Sequence, residues 1–279
     1  MKRTKIALAA LLIAALSLAL ALRLPARAAG ESIALPIVMY HHVSEKPGNW
    51  NDYVVSPAEL ESDLCWLRDH GYTAVGVAEL LAWADGRGEM PEKPCMITFD
   101  DGFESTMTLA EPLLAEYGFR GVVAVIGSVC EKFSGLDDHY EYSNLSWEEA
   151  RDMASRGVIE VQCHTWDMHA QSPRRGCAPL RWEDRGSYQA LLARDLSRWL
   201  DAAASRSVGF VPAIAYPYGA YTDATEQTVR ALGFRAAFTC TEQINRLTGD
   251  ADELFDLGRF NRPHGVSSEN FFRKWEENA

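Results

Sequence analysis

A chain of 279 residues with 47% hydrophobic and 24% charged residues, 12 prolines and 20 glycines is ordinary globular material, not disordered, collagen-like or repetitive. Residues 1–28 hold Lys2, Arg3, Lys5, Arg23 and Arg27 and no acid, so the remainder carries 22 basic against 39 acidic residues, a net charge of −17. That balance excludes nucleic acid as an expected partner, because phosphate binding needs clustered Lys and Arg, and it suits neutral substrates or metal cations.

Met1 to Lys5 is basic, Ile6 to Leu22 is an Ala/Leu/Ile run with one Ser, and Ala26-Arg27-Ala28 offers the small residues a signal peptidase requires. The pattern predicts a signal peptide over residues 1–28, a single domain over 29–279, and a secreted or extracytoplasmic location. At 17 residues the apolar run also reaches the short limit of a spanning helix, which makes a membrane tether through residues 6–22 the alternative. Export raises the question of disulfides among Cys65, Cys95, Cys130, Cys163, Cys177 and Cys240. A domain of this length does not need such staples. Cys95 and Cys163 lie in apolar runs, so the thiols are expected to be mostly free and buried, with Cys177 on a loop as the exception.

Beyond the signal, apolar runs alternate with amphipathic stretches. Ile33 to Tyr40 precedes Pro57 to Asp69, Tyr72 to Val77 precedes Ala78 to Ala84, and Cys95 to Phe99 precedes Ser105 to Tyr117. Gly121 to Ile126 precedes Ser146 to Arg156, Val158 to Cys163 precedes Tyr188 to Ala204, Val211 to Tyr216 precedes Thr222 to Leu232, and Ala236 to Thr239 ends the series. Ser56-Pro57-Ala58-Glu59 and Ser146-Trp147-Glu148-Glu149 carry the cap and first-turn acid of helix starts. This repetition of strand and helix predicts one α/β domain with a parallel sheet, open or closed into a barrel. The longest interruption, His169 to Gly186, contains Arg174, Arg175, Arg181 and Arg185 and is either a solvated basic loop or a substrate-binding one.

Four strand ends carry the chemistry. Thr98-Phe99-Asp100-Asp101-Gly102 places adjacent carboxylates after an apolar run. Side chains of neighbouring strand residues point to opposite faces, so one acid can hold a metal while the other takes a proton, and Gly102 permits a sharp turn. By itself such a segment is often only a solvated turn. His164 and His169, five positions apart where another strand ends, narrow the choice: two imidazoles and a carboxylate are a donor set that zinc and related divalent metals accept while keeping open positions. Ala215-Tyr216-Pro217-Tyr218-Gly219 follows a third run and reads either as aromatic turn packing or as a backbone N–H fixed toward the same mouth. Met39-Tyr40-His41-His42 ends the first strand, and in a parallel sheet all four signals fall at carboxyl ends, where barrel enzymes build their sites.

In this combination the residues resemble the polysaccharide deacetylases, carbohydrate esterase family four, over roughly residues 35–275. The early Met-Tyr-His-His-Val, the five-residue His spacing and Ala-Tyr-Pro-Tyr-Gly look closest to the branch that de-N-acetylates poly-N-acetylglucosamine and related bacterial surface glycans. The resemblance implies a distorted (β/α) barrel of about seven parallel strands and a metal-dependent hydrolase removing N-acetyl groups from a GlcNAc-containing surface glycan or cell-wall peptidoglycan. Asp101, His164 and His169 match the metal ligands, Asp100 the catalytic base, and Tyr218 the residue whose main-chain N–H helps form the oxyanion hole. The general acid falls to His41, with His264 in Arg-Phe-Asn-Arg-Pro-His-Gly as the competing candidate, while His42 reads as structural. Trp166, Tyr216 and Pro217 are the expected substrate contacts, with Trp166, Tyr216 and Tyr218 able to stack on sugar faces or simply to pack the barrel rim. Zinc is the expected ion, with Co, Ni, Fe or Mn as alternatives, and the protein is expected to be a monomer.

Two departures from the family pattern stand out. Ala215 replaces the Arg that usually precedes the Pro-Tyr-Gly turn, for which Arg259 is the suggested substitute, and the late Asp-x-x-Asp-Trp motif is missing. Rival readings are an O-acetyl xylan or glycan esterase on the same metal logic and a non-catalytic wall-glycan binder. A glycosidase is disfavoured, because its carboxylates must flank a bond at ~5 to 9 Å and not sit side by side.

Overall fold

The computed structural model describes residues 32–136 and 142–277, so the expected signal peptide over 1–28 and the tether over 6–22 lie outside the described residues. Among the described residues no helix is long and apolar enough to cross a membrane. The strands are β1 (Ile33–Leu35), β2 (Ile37–Tyr40), β3 (His42–Val43), β4 (Val54–Val55), β5 (Thr73–Ala74), β6 (Pro94–Phe99), β7 (Gly121–Val125), β8 (Ile159–Cys163), β9 (Phe210–Ala215), β10 (Ala236–Phe238), β11 (Asn245–Leu247) and β12 (Phe260–Asn261). The helices are α1 (Pro57–Asp69), α2 (Val77–Ala84), α3 (Glu111–Tyr117), α4 (Gly127–Phe133), α5 (Trp147–Arg156), α6 (Arg185–Ser205), α7 (Asp223–Ala231) and α8 (Ser268–Glu277).

The main sheet runs β10-β9-β8-β7-β6-β2-β12, seven strands with every adjacent pair parallel, and β5 joins β6 from the side. The ring closes through the segment that leads into β12: Thr239 and Leu257 share a ladder with Ala237, and the Arg259 amide donates to Thr241. This is the distorted (β/α) barrel that the family resemblance implies, the closed one of the two forms the alternation of strands and helices left open. Side chains alternate between two cores. Ile37, Met96, Val122, Ala124, Ala213 and Ala236 pack with Val77, Leu80 and Trp83 of α2 inside the ring, while Val38, Ile97, Phe99, Val123 and Val161 pack outward under the other helices.

Helix starts follow the cap chemistry. Ser56 and Ser146 each accept from the backbone N–H three residues on, and Glu59 and Glu149 reach back to the cap N–H groups, as read from the sequence. The stretch Ser105 to Tyr117 is not one regular helix. A π-type turn over Thr106–Ala110 precedes α3, and Pro112, which has no N–H to continue the ladder, stands at the junction. Helix α4, β12 and α8 had no expectation attached.

All six cysteines are free, but Cys177 is fully buried and Cys240 is the exposed one, which corrects the expected exception. The reason is local: the loop folds back so that the Tyr188 hydroxyl donates to the Cys177 carbonyl at 2.6 Å.

A buried ion pair joins α1 to the segment that follows β12. Arg262 donates to Asp63 of α1 at 2.7 and 3.1 Å, and the Tyr40 and Ser268 hydroxyls donate to the same carboxylate at 2.7 and 2.6 Å. Removing one member strands a buried charge. Arg262→Met is therefore expected to cost about 3 kcal/mol or more of unfolding free energy in denaturant titration, with Asp63→Leu/Arg262→Met recovering most of the loss; a single variant as stable as the parent would refute this account.

Candidate active site

β2, β6, β8 and β9 all end at one mouth, and the residues just past them line a cavity of about 590 Å³ that contains His41, Asp100, Asp101, His164, His169 and Tyr218. The backbone there is unusual. Asp101, Thr165 and Tyr218 have φ of 70°, 68° and 58°, a left-handed conformation rare outside glycine. Such conformations persist only where the surroundings over-determine them. The turn at Asp101 also overrides strand alternation: Asp100 and Asp101 both line the cavity and do not face opposite ways. Gly102, at φ 70°, completes the turn, and a Cβ there would lie 3.0 Å from a Val125 methyl.

Asp101 Oδ1 lies 3.0 Å from His169 Nε2 and 3.4 Å from His164 Nε2, and one donor atom from each residue fits within 4.8 Å. His164 Nδ1 stands 2.8 Å from the Ala215 carbonyl oxygen, which can only accept, so the proton of the neutral ring belongs on Nδ1. Its Nε2 then turns a lone pair toward a carboxylate oxygen. Lone pairs converging in this way suit a cation between them, and the carbonyl is the outer partner that orients metal-ligating imidazoles. The donor set therefore fits a divalent metal. Burial pushes the Asp101 carboxyl up, but the two imidazoles override it and hold it well below the usual carboxylate range. His169 Nδ1 is 3.3 Å from the Tyr218 hydroxyl.

Asp100 is matched by Arg259, whose Nη1 and Nη2 donate to its two oxygens at 2.7 and 2.8 Å. Arg259 Nε also donates to the Thr239 carbonyl at 3.0 Å, and both partners of the pair are buried. Burial alone would raise the Asp100 pKa, yet the guanidinium outweighs it and the net direction is downward. Arg259 thus sits where the missing arginine at Ala215 left a charge to be supplied.

His41 lines the cavity with its ring edge-on to Tyr53 at 5.0 Å between centroids, and its Nδ1 is buried without a hydrogen-bond partner among the described residues. Burial lowers its pKa, against the opposing pull of Asp101 and Asp100. His42 packs differently, with Nδ1 2.9 Å from the Ser105 hydroxyl and its ring 4.8 Å from Phe103. His264 is not at the mouth. Its Nδ1 is 2.8 Å from Glu59 and its ring lies tilted against Trp50 at 4.9 Å between centroids, where it braces the start of α1, apart from the residues that line the cavity.

The expected substrate contacts also need correction. Trp166 is 7% exposed beneath the Arg198 guanidinium at 4.1 Å, Tyr216 is fully buried against Tyr221 with centroids 4.7 Å apart, and Pro217 is buried. None of the three lines the cavity. Tyr218 does line it, and the most exposed aromatic rings on its wall are Tyr53 and Tyr142, 58% and 42% exposed, which no motif in the sequence marked.

Comparison with known proteins places the chain. Residues 87–237, more than half of it, match the family described as polysaccharide deacetylase. Poly-β-1,6-N-acetyl-D-glucosamine N-deacetylase of Escherichia coli K12 is 23% identical over 72% of this chain, and the chain spans about a third, 33%, of that relative's length. IcaB from Ammonifex degensii is 27% identical, with a TM-score of 0.65 over 82% of this chain and 91% of that one. A de-N-acetylase from Aggregatibacter actinomycetemcomitans, 21% identical, shares the fold with a TM-score of 0.72 over 88% of this chain and all of that one. With the Asp, His, His cluster at the barrel mouth and this match, the chain belongs to the polysaccharide deacetylase family.

Proposed function

We propose that this chain is a metal-dependent hydrolase that removes N-acetyl groups from a GlcNAc-containing polysaccharide outside the cytoplasmic membrane. The observation that carries the reading is Asp101, His164 and His169 gathered within 4.8 Å, beside the ion-paired carboxylate of Asp100. The name of the Escherichia coli relative supports the substrate class. Zinc fits the donor set best, and residues 1–28 are read as the export signal ahead of the catalytic domain.

When bound, the divalent ion supplies polarisation of the acetyl carbonyl and a water whose pKa is lowered towards ~7. The roles of the protein's own groups follow from their placement. Asp100, kept as a carboxylate by Arg259, takes the proton from the attacking water. The Tyr218 main-chain N–H, carried on a left-handed residue at the mouth, donates to the oxygen that gains charge as water adds to the carbonyl carbon. His41, the cavity histidine outside the ligand set, delivers a proton to the nitrogen as the carbon–nitrogen bond breaks, leaving acetate and a free amine.

The test is acetate release from a panel of GlcNAc oligomers, peptidoglycan and acetylated xylan, with and without chelator. Chelator-sensitive release from the GlcNAc substrates is expected; a preference for xylan would make the protein an O-acetyl esterase, and no release from any would make it a binder. Asp100→Asn should lower kcat by about a hundredfold or more with metal content unchanged, whereas His164→Ala and His169→Ala should lose the metal itself.

Arg259 gives a pH test with a definite sign. The base works only when ionised, and the guanidinium offsets the burial that raises its pKa. In Arg259→Gln the burial remains and the offset is gone, so the acidic limb of the kcat/KM profile should move to higher pH. An unmoved limb would show that Asp100 is not the titrating base.

A further inference from the structure

Arg174 and Arg175 are neighbours on the 169–186 loop with different fates. Arg174 is consumed within the loop, its Nη2 donating to both Glu183 oxygens at 2.8 Å and its Nη1 to the Ala178 carbonyl at 2.8 Å. Arg175 is exposed, no ion pair or side-chain hydrogen bond holds its guanidinium among the described residues, and its charge acts on Tyr218 and Cys240 beside it. It borders the main cavity and also a second recess of about 330 Å³, whose other walls are Tyr218, Gly219, Ala220, Cys240 and Thr241. Tyr218 and Cys240 line both, so the two spaces adjoin.

The loop is braced where it carries this cation. Gly176 has φ 51°, and a Cβ there would lie 2.2 Å from the Pro217 carbonyl oxygen, so the segment rests directly on the Pro-Tyr-Gly turn. The Gly176 amide donates to Ala170 at 2.9 Å, and Cys177 is fully buried. The charges around the cavity otherwise have partners. Asp100 pairs with Arg259, Asp101 with two histidines, and Glu242 with Lys274 at 3.1 Å. Among the described residues no acid lines the recess, on a chain that carries 39 of them.

We propose that this recess is a neighbouring sugar subsite that takes a glycan unit bearing an anionic group, a carboxylate or a phosphate, with Arg175 as the counter-ion. The proposal rests on the deacetylase reading and refines it: the sugar that loses its acetyl group would sit at the metal ligands, and the unit beside it would carry the negative charge. A guanidinium suits both anions through paired N–H donors.

The metal-loaded full chain is assayed for acetate release on four GlcNAc oligomers of equal length: unmodified, with alternate sugars carrying a lactyl carboxylate, with that carboxylate amidated, and with alternate sugars carrying a phosphate monoester. Wild type should favour an anionic oligomer over its neutral counterpart by about fivefold in kcat/KM, chiefly through KM, with the preference fading as salt rises. Arg175→Gln should bring the ratio to about one, Arg175→Glu should invert it, and Arg175→Lys should keep most of it. Which anionic oligomer shows the preference identifies the group recognised. A wild-type ratio of one for both anions, or the same ratio in Arg175→Gln, overturns the proposal. If no oligomer releases acetate, the deacetylase reading fails by itself, and the ratio of dissociation constants measured by calorimetry on the same oligomers and variants decides the role of Arg175.

Discussion

Arg259 reaches across 159 residues of sequence to clasp Asp100, and in doing so it joins the segment that closes the ring to the strand end bearing both carboxylates. Each of its contacts belongs to a different part of the mouth: the carboxylate after β6, the Thr239 carbonyl after β10, and the Thr98 hydroxyl within β6 at 3.3 Å. Taking two charges out of water is expensive, and the attraction between them repays the cost only when the remaining donors and acceptors are satisfied. Here they are, by two parallel hydrogen bonds and a carbonyl. The pair therefore ties the Asp100 carboxylate to the segment that closes the barrel.

The rest of the mouth is built from close backbone approaches. Gly102 passes Val125 where a Cβ would come within 3.0 Å, Gly219 passes the Cys240 amide where it would come within 2.8 Å, and Gly176 passes the Pro217 carbonyl oxygen so closely that a Cβ would overlap it. These contacts flank two of the three left-handed residues, Asp101 and Tyr218, both of which line the cavity. Strain of this kind is of order 1–3 kcal/mol per residue and has to be held by surrounding structure. The surrounding barrel, with its two packed cores, is rigid enough to do so.

What could be read from the sequence was whatever depends on neighbours in the chain. Strand and helix periodicity, the Ser56 and Ser146 caps and the four strand-end motifs are local patterns, and the parallel sheet carried those motifs to one mouth. What could not be read depends on distant packing. Trp166 and Tyr216 sit in motifs that look open, but Arg198 covers one and Tyr221 the other, from 32 and 5 residues farther along the chain. His264 has a plausible local context, and only the fold shows Glu59 waiting for it. Strand alternation predicted that Asp100 and Asp101 would diverge, and a single φ of 70° defeated it. Arg259 is the intermediate case: the missing charge at Ala215 suggested it as the substitute, while only ring closure brings its guanidinium onto both Asp100 oxygens.

The strongly acidic composition says little about the cavity itself. Surface carboxylates more than about 8–10 Å from a group are largely screened at physiological salt, whereas charges at the cavity wall act at contact distance. Exposed pairs such as Arg68 with Asp69 and Arg151 with Asp152 are cases of such solvated charge. Inside, Asp100 and Glu242 have cationic partners and Asp101 faces two imidazoles. Arg175, which borders the same space and the recess beside it, is a positive charge at the wall, so a globule that repels anions at a distance can still present a cation at its mouth. The two ranges answer different questions: the long-range charge governs approach, and the paired or unpaired state of a few wall residues governs what stays.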